Sequence, residues 1–263
     1  GLHQRLHLTE SAVTLLAIDI GNTNIKYGLY RHGVLTDVVS GATDRIQTAD
    51  EYGVLLTRLV PWQVDGCIVS SVVPPVTEAL THAVRAYLRV DPMIVRPGIR
   101  TGLTMRYETP HTLGSDRVVA AVAAVHRYGA PVIAASFGTA TVFNVVDAER
   151  AFLGGAIAPG LRVAADAMSR SAARLTQVEL EAPPSVIGRS TQEALQSGAV
   201  FGFVALVEGI VARLRAALPG GQAVPLVATG GLVEIVAAHT TAIDHVEPDL
   251  TLAGLHLLWG MNR

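Results

Sequence analysis

A carboxylate stands just before a glycine-containing turn near the start of the sequence. Asp19 lies near the end of the apolar run 13–20 and is followed by Gly21, Asn22 and Thr23. A strand that ends in this way places the carboxylate beside backbone N–H groups and a hydroxyl that can face an anion. Phosphate with Mg²⁺ suits such a turn, because Mg²⁺ takes few protein ligands and shares phosphate oxygens. An ordinary Asn/Thr β-turn is the alternative.

Two more glycine-rich strand ends favour phosphate binding over the ordinary turn. One contains Gly138 and Thr139, and the other contains Gly230 and Gly231. Glycine at such positions lets the backbone approach a phosphate closely, since no Cβ intervenes. The sole lysine, Lys26, follows the first turn and either reaches a phosphate or faces solvent from its strand.

Other phosphate-binding and catalytic motifs do not occur in the sequence. It contains neither GxxxxGKS/T nor GxGxxG, which excludes a P-loop and a dinucleotide fingerprint. It also contains no GxSxG nucleophile elbow. The nine histidines form no HExxH and no cluster with carboxylates, so a catalytic zinc site is not expected.

Composition restricts the partners and the compartment. Half of the 263 residues are hydrophobic, 16% are charged and the mean hydropathy is +0.40, which is typical of a globular chain and excludes a disordered one. The net charge of −2 predicts no nucleic-acid partner and no anionic membrane. Apolar runs are interrupted, for example at Asp19, before they approach the roughly 18 residues of a membrane span. The single cysteine, Cys67, favours a reducing cytoplasm.

Alternating strand and helix patterns must position these residues. The first part of the chain predicts a meander of strands at 13–20, 25–30 and 34–39, then a helix at 50–59, a strand at 66–73 and a helix at 77–88. Pro74 and Pro75 are expected to end the last of these strands before the helix begins. Strands buried on both faces and separated by helices indicate an α/β fold with a largely parallel sheet.

The sequence around residue 136 repeats the opening of the chain. Strands predicted at 131–136 and 142–146 flank the sequence FGTAT, as the first two strands flank GNTN. Placing residues 19–24 over 136–141 aligns two strand–turn–strand units that are 117 residues apart. The alignment predicts a weak internal repeat at domain scale.

Two predicted helices carry further polar residues. One runs from Ser115, as its N-cap, to a stop at Gly129, with Asp116 in its first turn. The other begins after Ser190, which is expected to form a capping box with Glu193. Its apolar stripe consists of Leu195, Ala199, Phe203, Leu206, Ile210 and Leu214.

Eight segments in order resemble the motifs of one enzyme family. They are AIDIGNTNIKYGLY, SSVVPP, YETPHTLGSDR, FGTAT, LGGAIAPG, IGRSTQEALQSGAVFG, ATGGL and EPDLTLAGLHLL. Together they cover most of residues 15–258 and resemble type III pantothenate kinases, of the actin, heat-shock-chaperone and sugar-kinase superfamily. The resemblance implies an α/β fold of duplicated ribonuclease-H-like domains, with mixed sheets, helices on both faces and an ATP cleft between the halves. The domains are expected at 13–114 and 115–263.

The resemblance implies an activity and a nucleotide site. The activity is ATP-dependent phosphorylation of pantothenate to 4′-phosphopantothenate, the first step of coenzyme A biosynthesis, with Mg²⁺. The implied phosphate loop consists of Asp19, Ile20, Gly21, Asn22, Thr23, Asn24, Ile25 and Lys26, with Asp19 near the metal. Thr139, beside Gly138, resembles the family's other nucleotide contact, and Gly230 and Gly231 resemble the element that supports the adenosine.

The resemblance also implies a pantothenate site at Tyr107, Gly114, Ser115, Asp116, Arg117 and Thr191. Asp116 falls on the catalytic carboxylate and would accept the proton of the attacking hydroxyl. The alternative is a first-turn aspartate that stabilises the helix dipole. Arg117 would clamp the substrate carboxylate. Thr191 matches a threonine that closes the pocket of the neighbouring subunit, which implies a homodimer.

The sequence departs from the family around the second turn. Ser136 stands where an aspartate is associated with a monovalent cation, K⁺ or NH₄⁺, and Val142 and Asn144 replace a threonine and an aspartate. A hydroxyl does not offset the charge of a cation, so the cation site is expected to be weakened or lost. The alternative to the kinase is therefore a non-catalytic nucleotide-binding regulatory relative, and a sugar kinase is a third hypothesis.

Overall fold

The structure is a computed structural model that describes residues 13–60, 63–171, 179–220 and 223–263. Residue contacts divide the chain into two compact units. Unit 1 runs to Ile99 and includes Gly114–Asp116 and Leu255–Arg263, and unit 2 comprises Arg100–Leu113 and Arg117–Gly254. The domain boundary expected between residues 114 and 115 stays a prediction.

Unit 1 is built on a five-stranded sheet. Its strands in chain order are β1 (Thr14–Ile20), β2 (Asn24–Arg31), β3 (Val34–Ala42), β4 (Gly66–Ser71) and β5 (Met93–Ile94). Within the sheet they follow the order β3-β2-β1-β4-β5. The strands β1, β2 and β3 are antiparallel, whereas β4 lies parallel to β1 and to β5. The sheet is therefore mixed, as the family resemblance implied, and the expectation of a largely parallel sheet was wrong.

Two helices, α1 (Ala49–Leu59) and α2 (Pro74–Ala83), contribute to the core of unit 1. Pro74 and Pro75 lie in the first turn of α2 instead of preceding the helix as expected. Proline is tolerated there because the first N–H groups of a helix have no partner within it. A π-helical turn, Val84–Leu88, continues α2.

Unit 2 repeats the plan of unit 1. Its strands are β6 (Thr104–Met105), β7 (Val132–Phe137), β8 (Ala140–Val146), β9 (Ala151–Pro159), β10 (Leu226–Thr229) and β11 (His245–Val246). Their order in the sheet is β11-β10-β7-β8-β9-β6. The strands β7 to β11 have the same order and directions as β1 to β5, and β6 adds an edge strand parallel to β9. The predicted internal repeat is confirmed.

The remaining helices are α3 (Ser115–Tyr128), α4 (Leu161–Ser171), α5 (Thr191–Ala216), α6 (Val233–Ala237) and α7 (Leu250–Asn262). The division between the units falls inside α3 and α7. Gly129, with φ of 82°, follows α3 as the predicted stop. Ser190 caps α5 by accepting the Glu193 N–H, but the Glu193 carboxylate accepts the Arg189 N–H and so does not complete the predicted capping box.

Helix α5 is long and apolar enough to cross a membrane by length and composition, with a mean hydropathy of 1.7 over 18 residues. The expectation that no run approaches this length was wrong. One such helix is weak evidence for a membrane, because the core helix of a globular protein passes the same test. The α5 side chains buried in the core of unit 2 are Phe203, Val204, Val207 and Val211. The other residues of the predicted stripe, Leu195, Ala199, Leu206, Ile210 and Leu214, pack against that core, so the stripe is confirmed and the packed face is wider than predicted.

Candidate active site

The turn between β1 and β2 is fixed by its backbone and leaves its polar residues exposed. The Gly21 N–H donates to the Asn24 carbonyl at 3.0 Å. A Cβ on Gly21 would lie 3.1 Å from that same oxygen, so the turn favours glycine. The Thr43 hydroxyl donates to the Gly21 carbonyl at 2.7 Å, and the Thr43 N–H donates to the Thr23 carbonyl at 2.8 Å. Asn22, Thr23 and Asn24 remain exposed on this fixed turn.

A polar row crosses the sheet of unit 1 next to this turn. We define it as Ser40, Lys26, Asp19 and Ser70, which lie opposite one another on β3, β2, β1 and β4. Residues in register present their side chains on the same face of a sheet. The Oδ1 atom of Asp19 and the whole of Ser70 are buried. A carboxylate and the only ammonium side chain of the sequence thus share one face beside the glycine turn.

The residues at the end of β1 fit Mg²⁺. Asp19 offers a carboxylate beside Gly21, whose backbone carries no side chain. Within residues 13–60, 63–171, 179–220 and 223–263, no group of three or more His, Cys, Asp or Glu could hold a metal ion. In nucleotide sites Mg²⁺ needs only one or two carboxylates, since phosphate and water complete the coordination.

The start of α3 is tied to the end of β4 by one hydroxyl. The Ser115 hydroxyl accepts the Ser71 N–H at 3.0 Å and donates to the Ser71 carbonyl at 3.1 Å. It also lies 2.9 Å from the Ser70 hydroxyl, which belongs to the polar row. Ser115 is therefore the first residue of the helix, and its side chain binds β4. The prediction that Ser115 caps α3 was wrong, because the partner strand lies more than forty residues away in sequence and competes for the hydroxyl.

Gly114 makes room for the carboxylate of Asp116. A Cβ on Gly114 would lie 2.6 Å from the Asp116 Oδ1 atom and 3.5 Å from a Val72 methyl group. A distance below 3.0 Å is not compatible with a Cβ, so a side chain at 114 would displace the carboxylate. The glycine of the GSDR segment thus leaves the space that the Asp116 carboxylate occupies.

A buried arginine forms the centre of a cluster in unit 2. Arg117 is 8% exposed, and its Nε–H donates to the Asn144 Oδ1 atom at 2.7 Å. Its Nη1 lies 3.5 Å from the Tyr107 hydroxyl. The guanidinium carbon lies 5.6 Å and 5.7 Å from the ring centroids of Tyr107 and Phe152. Gly154 lets the Tyr107 ring approach, since a Cβ there would lie 3.3 Å from it.

The turn between β7 and β8 is enclosed by two glycines from other segments. A Cβ on Gly160 would lie 2.2 Å from the Gly138 carbonyl oxygen, and a Cβ on Gly230 would lie 2.5 Å from the Phe137 carbonyl oxygen. Gly230 also has φ of +106°, which a residue with a side chain rarely adopts. Thr139 is exposed in this turn, as is Gly231 in the adjacent segment. The structure thus brings the predicted Gly138, Thr139 and Gly230 together.

The equivalent of the polar row in unit 2 is uncharged. This neutral row consists of Ile157, Val142, Ser136 and Thr229, which lie opposite one another on β9, β8, β7 and β10. The Thr229 hydroxyl donates to the Pro248 carbonyl at 3.3 Å. The side chains of the row offer two hydroxyls and no carboxylate, so they do not fit a K⁺ or NH₄⁺ site of the implied kind.

Three predicted site residues do not offer a side chain to the contacts described above. Ile20 and Ile25 are buried in the core of unit 1, so any contact that they make with a phosphate uses the backbone. Thr191 is exposed at the first residue of α5 and makes none of the contacts described above for Tyr107 and Arg117.

Three positioning residues were missed in the sequence. Thr43 and Arg45, whose Nη2 donates to the Asn22 Oδ1 atom at 3.2 Å, follow β3 and are brought to the first turn only by the fold. Gly160 is the last residue of the LGGAIAPG segment, and its place in that motif could have indicated a role at the site.

The chain matches the family model described as type III pantothenate kinase over residues 15–213. It is 51% identical over 255 residues to a type III pantothenate kinase of Roseiflexus sp. (strain RS-1), covering 95% of this chain and 99% of the relative. It is 50% identical, with the same coverage, to a type III pantothenate kinase of Roseiflexus castenholzii (strain DSM 13941 / HLO8).

Solved structures resemble the whole fold. One, from Campylobacter jejuni and described as a Baf family transcriptional activator, has a TM-score of 0.58 at 19% identity and covers 93% of this chain and 97% of its own. An inorganic polyphosphate/ATP-glucomannokinase from Arthrobacter sp. strain KM has a TM-score of 0.51 at 14% identity, with the same coverage. At these identities the likeness shows the fold alone, which is the α/β fold shared with sugar kinases.

Proposed function

Because the chain belongs to the type III pantothenate kinase family, we propose that it transfers the γ-phosphoryl group of ATP to the hydroxyl of pantothenate. The products are 4′-phosphopantothenate and ADP, and the reaction opens coenzyme A biosynthesis. The observation in the structure that carries the proposal is the polar row, in which Asp19 and Lys26 lie opposite each other beside an exposed glycine turn. Such a combination of carboxylate, ammonium and open backbone suits a metal-bound polyphosphate.

We propose that the nucleotide contacts charged side chains and glycine-rich backbone. Asp19 would hold Mg²⁺, and Lys26 would face the phosphates. When bound, Mg²⁺ supplies positive charge that neutralises phosphate oxygens. The turns at Gly138 and Gly230 would supply close backbone surface, which their missing Cβ atoms support.

The acceptor is proposed to bind at the start of α3. Asp116 would accept the proton of the attacking hydroxyl, and the space that Gly114 leaves for its carboxylate supports this role. Phosphoryl transfer passes through a loose transition state, so the protein mainly positions the reactants and compensates charge. Arg117 would bind the acceptor's carboxylate, and Tyr107 would border the same site.

We also propose a homodimer in the cytoplasm. The exposed position of Thr191 at the start of α5 supports a contact with the site of a second subunit. The lone buried Cys67, which needs no oxidising compartment, supports the location. The small net charge supports the expectation of neither a nucleic-acid nor a membrane partner.

An ADP-release assay with and without pantothenate tests the function. We expect pantothenate-dependent release that requires Mg²⁺ and falls about 10²- to 10⁴-fold in Asp116→Asn, because that variant lacks the general base. The matched control is Asp50→Asn, which changes a first-turn aspartate of α1 in the same unit. Equal, small effects of both variants would assign Asp116 to the helix dipole.

The second candidate function is that of a non-catalytic, nucleotide-binding regulatory protein of the same fold. The neutral row favours it, because this row contains no carboxylate. Nucleotide binding without pantothenate-dependent ADP release would establish that candidate and refute the kinase. A panel of other hydroxyl acceptors in the same assay tests the sugar-kinase hypothesis.

A further inference from the structure

Arg117 is a buried cation whose hydrogen-bond and ring contacts are all neutral. Its contacts are the Asn144 amide oxygen, the Tyr107 hydroxyl and the faces of the Tyr107 and Phe152 rings. In the described parts of the chain, no carboxylate forms an ion pair with it. Its positive charge is therefore solvated by dipoles and ring faces and is not compensated.

Such an arrangement is unfavourable without a ligand. Removing an ion from water costs several kcal/mol, and a hydrogen bond and ring faces recover only part of this. A ligand carboxylate would compensate the positive charge and would accept hydrogen bonds from the planar guanidinium group. The cluster is thus suited to binding a monoanion.

Asn144 fixes which donors of the guanidinium remain for that ligand. It is 1% exposed in the middle of β8, opposite Ala134 on β7 and Gly155 on β9, so its backbone is held by strands on both sides. Its Oδ1 atom engages Nε at 2.7 Å, whereas the contact of Nη1 with Tyr107 is long, at 3.5 Å. The Nη groups are therefore the donors most easily exchanged for a carboxylate.

We infer that Asn144 is a positioning residue that makes the acceptor site selective for a carboxylate-bearing ligand over its uncharged analogue. Its amide oxygen orients the Arg117 guanidinium without neutralising it, so the positive charge remains to attract the carboxylate of the ligand. An aspartate at 144 would accept the same hydrogen bond but would form a buried ion pair that competes with the ligand. This inference rests on the proposed function for the identity of the ligand, pantothenate.

Calorimetric titration with pantothenate and with pantothenyl alcohol, in which a CH₂OH group replaces the carboxylate, tests the inference. We expect the wild-type chain to prefer pantothenate, and Asn144→Asp to reduce the ratio of the two affinities about tenfold, equivalent to about 1.4 kcal/mol. The reduction should come from weaker pantothenate binding, with little change for the alcohol. A melting temperature equal to or above that of the wild type should accompany it, because the ion pair forms within the fold.

A second variant keeps the inference testable if Asn144→Asp does not fold. Asn144→Ala removes the oxygen that orients the Arg117 guanidinium and should lower the affinity for pantothenate more than the affinity for the alcohol. An unchanged affinity ratio in either folded variant, or equal weakening of both ligands, would overturn the inference. Both experiments measure binding and not turnover. The absence of pantothenate-dependent ADP release would therefore refute the proposed kinase activity but would not refute the inference about Asn144.

Discussion

Units 1 and 2 have the same strand order but differ in charge at the same strand position. Asp19 near the end of β1 lies opposite Lys26, whereas Ser136 near the end of β7 lies opposite Val142. The next strand contributes an exposed serine in unit 1 and Ile157, which is 63% exposed, in unit 2. The comparison shows that two copies of a scaffold can share a topology while only one has charged side chains at this strand position.

The glycines of the two turns differ in a complementary way. A Cβ on Gly21 would lie 3.1 Å from its nearest oxygen, but a Cβ on Gly138 would lie at an ordinary 3.8 Å. In unit 2 the close approaches occur at Gly160 and Gly230, which come from later segments. The glycine that allows a close approach thus lies within the turn itself in unit 1 and in later segments in unit 2.

The largest expected effect on activity is a difference between substitutions at the ends of β1 and β7. Asp19→Asn should lower kcat about 10²- to 10³-fold, because it removes the charge proposed to hold Mg²⁺ at the phosphates. Ser136→Ala should change kcat less than about twofold, the effect of about 0.5 kcal/mol. ADP release measured over a series of Mg²⁺ concentrations checks both. Similar losses in the two variants would break the comparison.

Gly230→Ala should be the most damaging change at the second turn. The new Cβ would meet the Phe137 carbonyl at 2.5 Å in a left-handed backbone conformation, so we expect a loss of about 2–3 kcal/mol in the free energy of unfolding and a higher KM for ATP. Gly138→Ala, with its nearest atom at 3.8 Å, is the matched control. Urea unfolding and ATP titration measure the difference, and equal stability of the two variants would contradict the enclosed turn.

A smaller effect is expected for the dependence of ADP release on monovalent cations. The neutral row predicts that ADP release is the same in K⁺, NH₄⁺ and Na⁺ salts at equal ionic strength. Ser136→Asp restores a carboxylate and should create an activation by K⁺ of up to about tenfold, equivalent to about 1.4 kcal/mol. Activation of the wild-type chain by K⁺ would show that the row holds a cation without a carboxylate.

The smallest expected effect concerns a tyrosine–histidine stack that both units contain, Tyr30–His256 and Tyr128–His245. Burial, and then the charge of Arg263, lower the pKa of His256. The folded state therefore favours neutral His256, and stability should be lost as the pH falls below about 6.5, the pKa in the unfolded chain.

A variant isolates this titration. His256→Phe keeps an aromatic ring on Tyr30 and should reduce the loss of melting temperature between about pH 7 and pH 5. The control is His82→Phe, which changes an exposed histidine of α2 in the same unit. Equal pH slopes in the wild type and His256→Phe would reject the role of the stack.

Features set by near neighbours in the sequence were predicted well. The turn at Gly21, the stop at Gly129 and the Ser190 cap each depend on residues within a few positions. The repeat was also visible, since strand, turn and strand recur as a unit. The role of the Ser115 hydroxyl was not, because its partner is the end of β4.

The candidate site was predicted from motifs, but its internal partners were not. Asn144 was noted only as an unusual residue, and its bond to Arg117 joins residues 27 positions apart. The contacts of Thr43 and Arg45 with the first turn likewise form only when β3 has returned along β2. Patterns in sequence identify which residues are unusual, whereas the sheet register decides what they touch.

Lys26 offers a direct chemical readout of the row in which it lies. The sequence contains no other lysine, so an amine-selective acylating reagent has one side chain and the terminal amine to react with. The intact mass of the chain after brief labelling would then report how far a bound polyphosphate shields that amine. Occupancy could be followed by mass spectrometry without a spectroscopic tag.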